Sequence, residues 1–323
     1  MKPVVIPALL GLMVTTCPAF AQTPSTSSGP AFPVKPIRVI TTVTGGGNDL
    51  VARVVQPRFA ETLGQPLVID NRGSIGLEVV AREKPDGYTL LVAGGNLWTL
   101  QFLRPNVRWD AERDYSPVTL AGTLPNIIVV HPSLPVKSVR DLIALAKARP
   151  GQLNYASGTT GVSTHLAGEL FNIMTRANLV RVPYKGGGPA MNALISGEAQ
   201  VSFPNAGSAM PHISSGRVRA IAVSTAQRSA LFPNLPTVAA SGVPGYEWIA
   251  MIGFFAPAKT PRPVIDVLNR ELVGALTHPE VKARLMSSGV EVVANSPEEF
   301  GRIIKADIVR TSKVIREAGI TGE

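Results

Sequence analysis

Cysteine is almost missing from this chain: its 323 residues contain one, Cys17, which excludes an internal disulfide and any cysteine-rich metal site. Histidine is scarce too. His131, His165, His212 and His278 lie far apart, with no His-x-x-x-His and no adjacent His-Glu pair, so the usual zinc-hydrolase signatures are absent. No Gly-x-Ser-x-Gly elbow occurs, which removes the sequence mark of an exposed nucleophilic serine. The run Gly45-Gly46-Gly47 has neither the Gly-Lys-Ser/Thr of a P-loop nor the spacing of a dinucleotide fingerprint. Neither catalysis nor a cofactor nor a metal is expected. Aromatic residues make up 6%, and Trp98, Trp109 and Trp248 are the tryptophans available for stacking on a ligand.

Charge of one sign is never concentrated. The net charge is +9, yet Lys and Arg stand singly along the chain, with no block of five or more like charges and no basic motif interleaved with aromatics, so nucleic acid is not the expected partner. A dispersed basic surface instead favours small anionic solutes through its long-range field. Long apolar runs are lacking as well: the stretch Val4–Val14 after Lys2 is too short to span a bilayer and ends at Ala19-Phe20-Ala21, a small-x-small pattern. Residues 1–21 are therefore expected to be a removed secretory signal, with lipidation of Cys17 disfavoured because Val14-Thr15-Thr16 lacks the small and leucine residues of a lipobox. Removing 21 residues from 323 leaves 302 and takes the charge to +8, since Lys2 alone is lost. Residues 22–34 are Ser/Thr/Pro-rich at their start and are expected to be a disordered leader.

What is present is alternation. Strand patterns at 37–43, 67–69, 89–93, 126–130, 154–156, 180–183, 201–203, 219–224, 249–256 and 290–294 are separated by helical ones, which predicts α/β layers over mixed sheets. Helix starts are marked at Ser138 with Asp141, at Thr260-Pro261 and at Ser296-Pro297 with Glu299. Pro57 inside the helical pattern 50–63 predicts a kink or break. Pro/Gly-rich segments at 131–135 and 235–245 bracket a self-contained run of elements, so two lobes are expected: 35–131 with 243–323, and 132–242, joined by two crossings around a ligand cleft.

Two turns carry the functional reading. The strand from Ile37 leads through Thr44, Gly45, Gly46 and Gly47 to Asp49 and a helix near Leu50, and the strand at Asn154 leads through Ser157, Thr159, Thr160, Gly161 and Ser163 into a helix reaching about Met174. Turns of this kind offer backbone N–H groups, hydroxyls and the positive end of a helix dipole, which suits them to an anion. Other roles stand beside this one. Asp49 serves equally as the N-cap of its own helix, Gly46 and Gly47 also supply positive φ, His165 fits a buried structural role, Lys185 fits a salt bridge, and Tyr184 fits ring packing in the hinge.

The segments Gly46-Gly47-Asn48-Asp49, Leu63-Gly64-Gln65-Pro66, Pro85-Asp86-Gly87-Tyr88-Thr89-Leu90, Leu153-Asn154-Tyr155 through Ser163, His165-Leu166-Ala167-Gly168-Glu169, Val182-Pro183-Tyr184-Lys185-Gly186, Leu235-Pro236-Thr237-Val238 and Pro297-Glu298-Glu299-Phe300 together resemble, in the same order from about Lys35 to Ile320, the Bug/TctC family of extracytoplasmic solute receptors of tripartite tricarboxylate transporters. The resemblance implies a type II periplasmic-binding-protein fold, with two α/β lobes on a double-crossing hinge. It also implies a periplasmic monomer that captures a small carboxylate and passes it to membrane permease subunits; presentation of the bound solute to a sensor kinase is the alternative role. Carried over by motif, the ligand contacts would be Thr44, Gly45, Gly46 and Asp49 on one side, Ser157, Thr159, Thr160, Gly161, Ser163 and Tyr184 on the other, and Gly94, Gly95 and Asn96 at the mouth. Three departures from the family pattern stand out: a short loop after Asn71-Arg72, Thr42-Val43-Thr44 in place of a Pro-rich lead, and Asn205 where an Asp is common, which substitutes a donor-acceptor amide for an acceptor.

Overall fold

Two sheets organise the chain, each built where β-branched and aromatic residues run between Gly, Pro and Ser breaks. In the computed structural model, the described residues are Met1, Pro3, 32–42 and 44–322, so the expected signal segment, apart from Met1 and Pro3, and Val43 lie outside them. The first sheet holds β1 (Ile37–Thr41), β2 (Leu67–Asn71), β3 (Thr89–Gly94), β4 (Tyr115–Pro125), β10 (Ile249–Pro257) and β11 (Glu291–Val292) in the order β11-β4-β10-β3-β1-β2. The second holds β5 (Ile127–Val130), β6 (Asn154–Ser157), β7 (Val180–Pro183), β8 (Val201–Ser202) and β9 (Arg219–Val223) in the order β7-β6-β8-β5-β9. Parallel pairs β1–β2, β1–β3, β6–β7 and β6–β8 sit beside antiparallel β10–β3, β10–β4, β5–β8 and β5–β9, so both sheets are mixed, as expected. The chain passes between the sheets twice, from β4 to β5 through Asn126 and from β9 to β10.

The parallel crossovers are helical: α1 (Gly47–Leu63), α2 (Ile75–Ala81) and α3 (Asn96–Leu103) on the first sheet, α5 (Ser163–Thr175), α6 (Gly187–Ser196) and α7 (Ala206–Ser214) on the second. Their N-termini follow strand C-termini, which brings helix starts to one edge of each sheet. Helix α4 (Val139–Ala148) starts as expected, with the Ser138 hydroxyl accepting from the Asp141 N–H at 3.1 Å. Helices α8 (Arg262–Thr277), α9 (Pro279–Ser287) and α10 (Pro297–Glu317) complete the chain. Ser296 caps α10 through the Glu299 N–H at 3.2 Å. Thr260, by contrast, does not cap α8: its hydroxyl donates to the Pro257 carbonyl at 2.7 Å and Pro261 takes the cap position. Helix α10 also reaches across the molecule, with Phe300 and Ile304 in the apolar cluster of Trp98 and Phe255, and Val314 and Ile315 in that of Tyr155 and Phe171.

Two features differ from the sequence reading for identifiable reasons. The break at Pro57 does not occur, and α1 continues to Leu63. Pro57 and Arg53, whose carbonyl loses its partner, both lie on the exposed face. Val51, Val54, Val55 and Phe59 fasten the opposite face into the core, so the one lost bond is outweighed. Strand β4 was not foreseen, because Pro117, Gly122 and Pro125 interrupt its pattern. It survives by bulging: the register against β10 shifts at two places, leaving Val118 and Ala121 unpaired in the ladder.

Candidate functional site

The two anion-suited turns differ in how they are fastened. In the first, α1 begins at Gly47, earlier than expected, with Gly46 as an extended N-cap; positive φ falls on Gly45 at 76°, not on Gly46 or Gly47. Asp49 is therefore the third helical residue and not the N-cap. Its carboxylate, 2% exposed, accepts from the Gly45 N–H at 2.9 Å, Arg53 Nε at 3.0 Å and Asn71 Nδ2 at 2.8 Å. Burial alone would raise its pKa, but hydrogen bonds from Arg53, Gly45 and Asn71 outweigh that and hold the carboxyl below its usual range. Thr44 and Gly45 are exposed, while Gly47 and Asn48 open onto a cleft.

The second turn is fastened by a cation. Arg181, on β7 beside β6, donates from Nε to the Ser157 hydroxyl at 2.8 Å, and from its two terminal nitrogens to Thr160 Oγ1 and the Gly158 carbonyl, each at 3.1 Å. Gly161, at φ 81°, donates its N–H to His165 Nδ1 at 3.1 Å. Burial of the ring, and then the Arg181 charge, push the His165 pKa down to about 3, so the imidazole stays a neutral acceptor. Ser157 is fully buried. Sequence reading missed Arg181 because only the β6–β7 pairing brings it against the turn.

A cleft of about 530 Å³ lies between the sheets. The beginnings of α1 (Gly47, Asn48), α3 (Gly95, Asn96), α5 (Ser163) and α7 (Gly207, Ser208) open into it, and Leu124, Met251 and Ile252 are among the apolar lining. Of the residues expected from sequence, the cleft brings together Gly94, Gly95, Asn96, Ser163 and Asn205; Thr159, Thr160 and Gly161 line an adjoining chamber. Thr44, Gly45, Gly46, Asp49, Ser157 and Tyr184 are not among the residues lining either space. The Tyr184 hydroxyl donates to Glu198 at 2.8 Å, and burial followed by that carboxylate pushes its pKa up to about 12. Gly47, Asn48, Gly207, Ser208, Ala250 and Ser288 were not anticipated as lining. Gly207 and Ser288 come from opposite sides, and no pattern within either segment signals that they meet.

Among the described residues, no Lys, Arg, Asp or Glu side chain lines the cleft. The first N–H groups of an α-helix have no partner within it, and they carry the positive end of its dipole, so four such ends form a neutral receptacle for a negative group. The floor is set by a hydrogen-bonded hinge: Ser163 Oγ donates to Asn126 Oδ1 at 2.7 Å and accepts from Trp248 Nε1 at 3.1 Å, and Asn126 Nδ2 donates to the Phe203 carbonyl at 2.7 Å. Asn126 and Asn205 also form a β-bridge. Across the cleft the lobes touch backbone to backbone: a Cβ on Gly207 would stand 2.6 Å from the Ser288 carbonyl oxygen, too close for any side chain.

Known proteins resemble this chain over most of its length. The model of the tripartite tricarboxylate transporter family receptor matches residues 51–320. Protein BugT of Bordetella pertussis (strain Tohama I) is 34% identical over 319 residues, which is 97% of each chain. Among solved structures, R. palustris Rpa4515 with adipate superposes with a TM-score of 0.79 at 34% identity, covering 90% of this chain and 100% of that one. MatC (Rpa3494) from Rhodopseudomonas palustris with bound malate gives a TM-score of 0.75 at 29% identity, covering 88% and 100%.

Proposed function

This chain belongs to the tripartite tricarboxylate transporter receptor family, and from that premise we propose that it captures a small carboxylate in the periplasm and delivers it to the membrane permease of such a transporter. The family consists of solute receptors and not enzymes. One observation carries the ligand class: a cleft into which four helix N-termini open and which no charged side chain among the described residues lines. Such a site stabilises one or two carboxylate oxygens through N–H groups and hydroxyls, without a fixed cation whose desolvation must be overcome. Rpa4515 and MatC hold adipate and malate, acids of this class. The ligand contacts we propose are Asn48, Gly94, Gly95, Asn96, Ser163, Asn205, Gly207 and Ser208, with Thr159, Thr160 and Gly161 following along the adjoining chamber. Thr44, Gly45, Gly46, Asp49, Ser157 and Tyr184 act in this reading through the shape of their turns. The lobes divide where the chain passes between the sheets, at Asn126 and between Val223 and Ile249.

Thermal unfolding of the purified protein, stripped of carried-over solute by unfolding and refolding, tests the ligand class against carboxylates and their neutral amides. A carboxylate at a hundred times its dissociation constant adds ~2.7 kcal/mol to stability. The amides are expected to add nothing; equal shifts from acid and amide would overturn the anion reading.

A further inference from the structure

The cleft does not end at the helix N-termini. A chamber of about 120 Å³ continues it, sharing Gly95, Asn96, Ser163, Ala250 and Met251 with the cleft. An outer chamber of about 310 Å³ follows, sharing Asn96, Thr99, Gly161 and Val162 with the second. Along these three spaces the charged lining residues are Asp307 and Arg104. Asp307 is already committed: it accepts from Trp98 Nε1 at 2.8 Å and is ion-paired with Arg310. Arg104, just past the end of α3, lines the outer chamber with Thr99, Thr159 and Thr160, and it has no ion-pair or side-chain hydrogen-bond partner among the described residues.

We propose that Arg104 binds a second anionic end of the ligand, so that the protein selects long α,ω-diacids over monoacids and over short diacids. The proposal rests on the carboxylate reading above and adds to it a second recognition point and a length. Helix α3 provides the ruler. Asn96 stands at its start beside the cleft, Arg104 follows its last residue, and eight steps at ~1.5 Å each separate them by about 12 Å along the axis. A ligand held at the helix N-termini can extend past Asn96, which lines all three spaces, toward Thr99 and Arg104 before its other end meets a charge. An acid ending in a methyl group gains the apolar passage but leaves Arg104 unmatched. A carboxylate at that end meets a planar guanidinium able to donate two parallel hydrogen bonds. The longer suberate is the acid expected to bridge the two points, with the Arg104 side chain leaning back along α3 to shorten the gap. The exposure of Arg104 means that solvent screens the pair, so the expected gain is modest.

Calorimetric titration of the purified protein with succinate, suberate and octanoate tests this, using wild type, Arg104→Gln and Arg104→Lys. Wild type is expected to bind suberate several-fold more tightly than octanoate, up to about fivefold, the factor that an exposed charge pair supplies. Arg104→Gln should abolish that preference while leaving octanoate affinity unchanged, and Arg104→Lys should restore part of it. If Arg104→Gln keeps the full preference, or if wild type binds suberate no better than octanoate or succinate, the proposal is overturned while the carboxylate-receptor reading stands. If wild type binds none of these acids, both fall together.

Discussion

The turns before α1 and α5 look alike in sequence and are built on opposite principles. Before α1 an acid ties the turn: Asp49 consumes the Gly45 N–H and is itself fixed by Arg53 and Asn71. Before α5 a base ties it: Arg181 consumes the Gly158 carbonyl and two hydroxyl oxygens, while neutral His165 consumes the Gly161 N–H. The first turn therefore gives the cleft only its helical start, Gly47 and Asn48, whereas the second gives Ser163 to the cleft and Thr159 to Gly161 to the chambers beyond. A Gly/Ser/Thr turn thus fixes a backbone shape without fixing which face meets ligand; the counter-charge behind it does that.

The widest separation between the turns is expected in acid. His165 stays neutral in the folded protein down to about pH 3, whereas in the unfolded chain it protonates near its ordinary ~6.5. Below ~6.5 the unfolded state therefore holds one more proton, and stability falls as pH drops, by up to ~1.4 kcal/mol per unit until the folded value is reached. Asp49 behaves differently: its carboxyl is held below the usual carboxylate range, so its contribution is intact above that range and is lost only as pH falls through the lower folded value. Denaturant unfolding of His165→Gln should show a flatter stability profile between pH 6 and 4 than wild type, a relative change of roughly 2 to 3 kcal/mol. An unaltered slope would mean that the imidazole does not stay neutral when folded.

Removing the cation behind the second turn comes next in size. Arg181→Gln is expected to cost about 2 kcal/mol of folding stability, since part-buried charge-assisted bonds are lost and the Gly158 carbonyl is left without this donor. Ligand affinity should weaken with it, measured by calorimetry. Stability and affinity both like wild type would show that the turn holds its shape without the arginine.

Closure is the third test. Gly207→Ala places a methyl group against the Ser288 carbonyl, and relieving such overpacking costs about 1 to 3 kcal/mol. Opening the lobes relieves it, so the loss should fall on ligand affinity more than on the thermal midpoint of the ligand-free protein. The smallest pair sharpens the comparison itself. Ser163→Ala should weaken binding by about 1 kcal/mol, through the cleft hydroxyl and the Asn126–Trp248 hinge bonds. Thr44→Ala, at an exposed position outside the cleft, should change it by less than ~0.5 kcal/mol. The reverse order would exchange the roles assigned to the two turns.

Much of this architecture was legible in the chain. Strand patterns separated by capped helices follow from side-chain periodicity and from local bonds such as Ser138 to Asp141, which need no distant partner. Strand β4 was illegible because its stability lies in two bulges against β10, and continuous α1 because the buried face of Val51 to Phe59 outweighs one proline. Gly94 to Asn96, Ser163 and Asn205 were named from sequence and line the cleft. Arg181, Ser288 and Arg104 were not named, since a side chain's use is set by what the fold places opposite it.

By itself, then, the sequence determined the alternation of elements, the places of both turns and the lack of metal and nucleophile signatures, because each of these depends on residues close together in the chain. Only the tertiary structure decided that four helix starts converge on one cleft, that Gly207 closes on Ser288, and that Arg104 comes to line the outer chamber. Those outcomes depend on strand pairing and lobe placement, which join residues as far apart in the chain as Gly47 and Ser288 and which no local pattern encodes.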